Sequence, residues 1–305
     1  MEPSHTQKEE RPLSTLDGHN LVFIVGCPRS GTSWLQRLLA SHPSVKTGQE
    51  SFVFSRYVGP LLRNWHLELD RISTNPRGAG LRNYLSDDEF RDALRRFMLE
   101  LLAPMAGTLK EGELFVEKTP AHALFMREIN ELLPRSRFIH LLRDGRDVIA
   151  SLMSVSKTWG REWAPTTSKE ATLQWISHVR AARKSAERLP KGLFYELKYE
   201  SLVARPVETL AGVAQFAGLQ WEVDGIEAAV KRNDFRAPES GWTPIPRSGD
   251  LKERLGTAVE EPPGFIRKAT PGSWRKDLRW DQKVQFWRIA RKTMREVGYE
   301  CSFPW

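Results

Sequence analysis

The 305-residue chain contains only two cysteines, Cys27 and Cys301, too few for a disulfide framework and in keeping with a reducing compartment. No stretch approaches the roughly 18 consecutive apolar residues that a membrane-spanning helix needs. The polar opening, MEPSHTQKEERPLSTLDGHN, holds no apolar signal core. The seven histidines fall into no metal-ligand spacing with cysteine or with one another, which argues against structural zinc. A long Lys/Arg tract, a zinc-finger spacing and a ribonucleoprotein aromatic motif are also missing. The net charge of +8 therefore reads either as a basic solvated surface or as attraction to a polyanionic ligand. These absences together predict a cytoplasmic protein with no membrane span, no metal and no nucleic-acid partner.

What the chain does have is concentrated near its start. Leu21 to Val25 are all apolar, as in a strand covered on both faces of a parallel sheet. Gly26 to Gly31 has the spacing of a phosphate-binding loop, in which successive backbone N–H groups point at one anion. A helix from about Ser33 adds its positive end to the same point. Here too something is lacking. The nucleoside-triphosphatase pattern continues from this glycine with Lys and then Ser or Thr, whereas this chain has Thr32-Ser33. Arg29, inside the loop, is the nearby cation. The pattern points to a phosphate loop, and away from ATP with magnesium.

Residues 1–19 read as a loose tail and 20–305 as a single domain, long enough to bury about three-quarters of its unfolded surface. Strand 21–25, helix 33–41 and a turn at His42-Pro43 come first. An irregular stretch over 44–85 follows, and then a capping box at Ser86–Glu89 opens a helix to about Leu102. Leu114–Val116 is a short apolar run, after which Thr119 can cap a helix with Pro120 at its first position. Strand 137–142 leads into a helix over about 147–156. Ser168 caps a long helix to about Arg188, residues 193–199 form a strand, and helices lie near 206–217, 225–232 and 281–297. The Pro- and Gly-rich residues 236–274 read as a lid segment. Strands alternating with helices predict a three-layer α/β fold with a mostly parallel central sheet, of the P-loop nucleoside triphosphate hydrolase-like class.

Ligands in such sheets bind beyond the carboxyl ends of the strands, and three strand ends carry polar clusters. They are Cys27–Ser33, Glu117-Lys118-Thr119-Pro120, and Arg143-Asp144-Gly145-Arg146 with Ser151 beyond. Their convergence would set Arg29, Lys118 and Arg143 around one ligand with several anionic groups. At these residues the chain resembles the sulfotransferases that use 3′-phosphoadenosine 5′-phosphosulfate (PAPS). Pro28–Leu35 is similar to the family's 5′-phosphosulfate loop, Leu142–Val148 through Ser151 to its 3′-phosphate motif, and Arg267–Arg275 to a late Arg-Lys-Gly-x-x-Gly-x-Trp-Lys segment. The resemblance implies that Arg29, Ser30, Gly31, Thr32 and Ser33 hold the 5′-phosphosulfate. It implies that Arg143 and Ser151 bind the 3′-phosphate and that Arg267 and Lys268 clamp it, although Ala269 stands in place of a glycine. Tyr199 matches a position near the adenine, with a strand-end core tyrosine as the alternative.

Sulfuryl transfer depends on in-line positioning and charge stabilisation, a task that suits Lys118. A lysine at a helix start opposes the dipole and is an odd choice without an anionic ligand. The acceptor hydroxyl also needs a base. Gly48-Gln49-Glu50-Ser51 resembles the Gly-Glu-Glu-Thr of tyrosylprotein sulfotransferases, with Gln49 replacing the first Glu, which makes Glu50 the first candidate and His122 its rival. The acceptor, a hydroxyl or phenol, stays open among carbohydrate, lipid, peptide tyrosine and small metabolite. Phe52, Trp65, Trp159, Trp163 and Trp242 are either its walls or loop packing. The product would be 3′-phosphoadenosine 5′-phosphate (PAP), and a homodimer is left open. The rival readings are a phosphate-loop kinase and a non-enzymatic polyanion binder.

Overall fold

A computed structural model describes residues 18–74, 79–236, 241–266 and 269–303; most of the expected tail, together with Arg267 and Lys268, lies outside the described residues. Among the described residues the sheet has five strands: β1 (Leu21–Gly26), β2 (Val45–Thr47), β3 (Leu114–Lys118), β4 (Arg137–Leu142) and β5 (Phe194–Lys198). Their order is β2-β3-β1-β4-β5, and every neighbouring pair is parallel. The pleat explains why β1 is apolar throughout. Leu21, Phe23 and Val25 enter one core while Val22 and Ile24 enter the other.

Twelve α-helices are described. They are α1 (Thr32–Ala40), α2 (Gly59–Thr74), α3 (Asp87–Ala106), α4 (Met126–Leu132), α5 (Gly145–Val155), α6 (Ser168–Ala186), α7 (Tyr199–Ala204), α8 (Pro206–Ala217), α9 (Val223–Arg232), α10 (Leu251–Leu255), α11 (Trp274–Asp277) and α12 (Trp280–Glu296). The Val22 side of the sheet is covered by α1, α7, α8 and α9, and the Leu21 side by α3, α4 and the segment around Phe54. A third cluster joins α5, α6 and α12 around the fully buried Trp175 and Phe286. The expected three-layer α/β fold is observed. It places the loops after β1, β3 and β4 side by side, because β1 lies between β3 and β4.

Local differences have local causes. Residues 44–85, expected to be irregular, contain edge strand β2, a π-helical turn over Val53–Val58, and α2. Trp65 is no wall of a site: it stacks on Phe90 at 4.1 Å and donates to Asp87, inside the packing of α2 on α3. The cap of α6 is Thr167, with Glu170 completing its capping box, and Ser168 is the first helical residue. Thr119 stands at the N-cap position with Pro120 first in the helix, as expected, but the helix is a 3₁₀ stretch, Pro120–Leu124, before α4. The Thr119 hydroxyl is committed to Glu117 and makes no capping bond. No described helix is long and apolar enough to cross a membrane.

Candidate active site

The loop after β1 turns on two residues with left-handed backbone, Arg29 (φ 75) and Gly31 (φ 98). Gly31 precedes α1, which has neither a side-chain cap nor an acidic residue in its first turn. Its first amides, including those of Thr32 and Ser33, have no acceptor within the helix, and the positive end of its dipole is uncompensated. A Cβ on Gly31 would stand 2.6 Å from the Tyr199 ring. Gly31→Ala is therefore expected to cost about 1–3 kcal/mol of stability through the strained φ and to abolish nucleotide binding, checked by thermal unfolding and calorimetric titration.

The same loop is braced against the end of β4. Arg143 is buried, lies 4.2 Å over the Tyr199 ring and donates to the Arg29 carbonyl at 3.1 Å. Its Nε has no partner among the described residues, and neither does the buried Ser30 hydroxyl. Arg29 makes several contacts across the loops. Its Nε donates to Ser151 Oγ at 3.1 Å, its terminal nitrogen to the Phe265 carbonyl, and its guanidinium lies against the Trp159 and Phe265 rings. It thus links the loop after β1 to α5. Tyr199 sits at the start of α7, directly after β5, and donates to the Ala269 carbonyl at 2.6 Å. Burial pushes its phenol up to about 12, so it stays a neutral donor.

Arg29, Gly31, Thr32, Ser33, Arg143, Ser151 and Tyr199 line one pocket with Trp34, Phe235, Trp242, Phe265 and Ile266. The lining combines the cations Arg29 and Arg143 with an aromatic group in which Trp34 meets Phe235 edge-on at 5.2 Å and Tyr199 at 5.9 Å, Arg143 lying on the Tyr199 ring. Part of the expected lid, residues 241–266, is held over the pocket. Arg37 of α1 donates to the Thr243 carbonyl and pairs with Glu261 at 2.6 Å. Asp147, fully buried in α5, accepts the backbone amides of Gly272 and Trp274 and so fixes the chain that returns from the lid. Among the described residues no cluster of His, Cys, Asp and Glu could hold a metal ion.

A second group lies at the end of β3. Lys118 is almost wholly buried, and its Nζ meets Glu50 Oε1 at 2.5 Å, while Glu50 is partly open to solvent. Sequence reasoning paired these two residues through a shared reaction, and the fold brings them into contact. His122 is placed differently. It is fully buried, with Nδ1 2.9 Å from Glu117 and Nε2 3.3 Å from the Phe54 amide, so both ring nitrogens are engaged inside the protein. Glu117, the group that holds it, stands in the polar cluster that ends β3 and belongs to no motif in the sequence. A carboxylate and an ammonium ending the buried strand LFVEK were the available signal, since Glu and Lys are seldom fully buried unless paired. Cys27, fully buried, has its thiol pushed up by burial and is an inert part of the loop.

A family model described as "Sulfotransferase family" matches residues 21–223. A putative protein-tyrosine sulfotransferase of Caenorhabditis briggsae is 27% identical over 230 residues, 72% of this chain and 75% of the relative. The protein-tyrosine sulfotransferase of Drosophila melanogaster is 26% identical over 75% of this chain and 44% of its own length, so the match spans less than half of that longer relative. The crystal structure of mouse sulfotransferase SULT7A1 complexed with PAP shares the fold. Its TM-score is 0.56 at 14% identity, covering 96% of this chain and 93% of the other.

Proposed function

The chain belongs to the sulfotransferase family, and from that premise we propose that it moves a sulfuryl group from PAPS to a phenolic hydroxyl. The observation that supports the proposal is the meeting of the loops after β1 and β4, where Arg143 donates to the Arg29 carbonyl, with the Lys118–Glu50 pair at the end of the neighbouring strand β3 and outside the lining of that pocket. The donor set fits the cofactor. Among the described residues Arg143 Nε and Ser30 Oγ are buried polar atoms without partners, the first turn of α1 has no side-chain cap, and the rings of Trp34, Tyr199 and Phe235 line the same pocket as Arg143. Residues 29–33 would hold the 5′-phosphosulfate, and Arg143 with Ser151 the 3′-phosphate. Trp34, Tyr199 and Phe235 would flank the adenine. When bound, PAPS supplies an activated sulfuryl group.

The chain's own contribution is proton movement and charge. Glu50 takes the proton of the acceptor hydroxyl on its carboxylate. In doing so it becomes neutral, and the 2.5 Å ion pair with Lys118 loses its negative partner. The Lys118 ammonium is then free to stabilise negative oxygens, in a buried place where such a charge acts strongly. His122, walled in by Glu117 and Phe54, is not the proposed base. A carboxylate is a weak base, so an acidic hydroxyl suits it best. A phenol, with a pKa of about 10, is the natural partner, in keeping with the names of the protein-tyrosine sulfotransferase relatives. Trp159, Trp163 and Phe265, clustered beside Arg29, offer ring surface on the acceptor side.

A metal-free thermal-shift titration tests the cofactor assignment. PAP should raise the melting temperature by several degrees, as binding to the native state requires, and ATP with magnesium should do much less. Equal stabilisation by ATP would favour the phosphate-loop kinase instead.

A further inference from the structure

Glu50 and Lys118 come from different segments, and nothing in their own backbones fixes the distance between them. Each is followed by a hydroxyl residue, Ser51 and Thr119. Both hydroxyls donate to the same oxygen of Glu117, Oε1, at 2.6 Å each. The Ser51 amide also approaches that oxygen, at 3.4 Å. The other oxygen, Oε2, faces His122 Nδ1 at 2.9 Å.

The network continues into the backbone beyond Glu50. Phe52 has a left-handed φ of 49, which a bulky residue adopts only under constraint, and a π-helical turn begins directly after it. The amides of this bend are met one by one. Ser51 N–H goes to Glu117, Phe52 N–H to Thr119 Oγ1 at 3.4 Å, Val53 N–H to Ser51 Oγ at 3.1 Å, and Phe54 N–H to His122 Nε2. An amide can only donate, so His122 Nε2 accepts and its proton sits on Nδ1, donated to Glu117. Every described partner of Glu117 is therefore a donor, as an ionised carboxylate requires. Burial alone would raise its pKa, but His122, Ser51 and Thr119 together outweigh that and hold it well below the usual carboxylate range.

We infer that Glu117 is a positioning residue for sulfuryl transfer: its buried carboxylate yokes the segment bearing Glu50 to the strand bearing Lys118 and sets the contact between them. The inference rests on the catalytic reading of that pair. It also explains why a carboxylate stands here and an amide would not serve. Glutamine would present an NH₂ group to one of the donors. Turning the His122 tautomer to accept it would set Nε2–H against the Phe54 N–H.

Glu117→Gln should lower kcat by about 10²-fold, the scale of a misplaced reacting group, with the PAP dissociation constant little changed. Ser51→Ala and Thr119→Val should each lower kcat about tenfold, and Thr119→Ser, which keeps the hydroxyl, should recover most of the loss seen in Thr119→Val. A role confined to folding would lower the melting temperature and leave kcat per folded molecule unchanged. A second readout does not depend on turnover. Trace acetylation of Lys118 by acetic anhydride, followed by peptide mass spectrometry, should rise several-fold in Thr119→Val and Glu117→Gln as the ion pair loosens. If the wild-type protein transfers no sulfuryl group, the proposed reaction fails and the acetylation still decides the yoke. If Glu117→Gln does not fold, Thr119→Val against Thr119→Ser decides it. Folded Ser51→Ala and Thr119→Val proteins with wild-type kcat and wild-type Lys118 acetylation would overturn the inference.

Discussion

Glu50→Gln is expected to reduce kcat by about 10³-fold, the middle of the range for a lost general base, while PAP binds as tightly as before. The substitution keeps the size of the side chain and its contact with Lys118 as a hydrogen bond, but removes the proton acceptor. It also removes the negative charge now lying 2.5 Å from Lys118 Nζ. The ammonium is then unpaired before the reaction begins, so affinity for an anionic nucleotide should hold or improve slightly. The two effects separate base from structural prop. Single-turnover kinetics with labelled PAPS measure the first, and calorimetric titration with PAP measures the second. A turnover close to wild type would remove Glu50 from the chemistry and reopen the search for a base, with His122 still too enclosed to serve.

Arg143→Ala should weaken PAP binding by about 10²-fold, as expected when hydrogen bonds to a charged group are lost. Adenosine 5′-phosphate, which lacks the 3′-phosphate, should lose far less. The ratio between the two ligands is the informative quantity, because Arg143 also steadies the loop through the Arg29 carbonyl. General loosening of that loop would weaken both ligands alike. Arg143→Lys should not restore the ratio, since an ammonium lacks the planar fork and the stacking that Arg143 has over Tyr199 at 4.2 Å. Equal losses for both nucleotides would place the 3′-phosphate elsewhere.

The parts of the fold legible in the sequence are those where one physical requirement dominates. β1 and β4 are covered on both faces, so their apolar runs stand out, and the loop between β1 and α1 carries Gly31 at one of its two left-handed positions. Edge strand β2 is three residues long and carries Lys46 on an exposed side, too short for an apolar run to announce it. The π-helical turn was illegible for another reason. Its bend is set by side chains from β3 and the turn after it, more than sixty residues away in sequence. The candidate site divides the same way. Arg29, Arg143, Ser151 and Tyr199 follow local motifs and do converge on one cavity. Glu117 has no motif of its own, because its role comes from three partners, Thr119 and His122 nearby and Ser51 brought to it only by the tertiary structure. His122 shows the converse: a nearby histidine looked like a base, and burial against Glu117 withdraws it.

The measurement that bears most directly on the central claim is transfer itself. The purified protein is incubated without metal with PAPS labelled in the sulfuryl group and a short tyrosine-bearing peptide, beside the same peptide with phenylalanine in place of tyrosine. The account predicts label on the tyrosyl peptide, released by mild acid as sulfate, with one PAP formed for each sulfate transferred and no label on the phenylalanine control. Tight PAP binding with label appearing only on an aliphatic alcohol would contradict the phenolic acceptor. Failure to bind PAP or to consume PAPS with any hydroxyl offered would contradict the sulfuryl-transfer account as a whole.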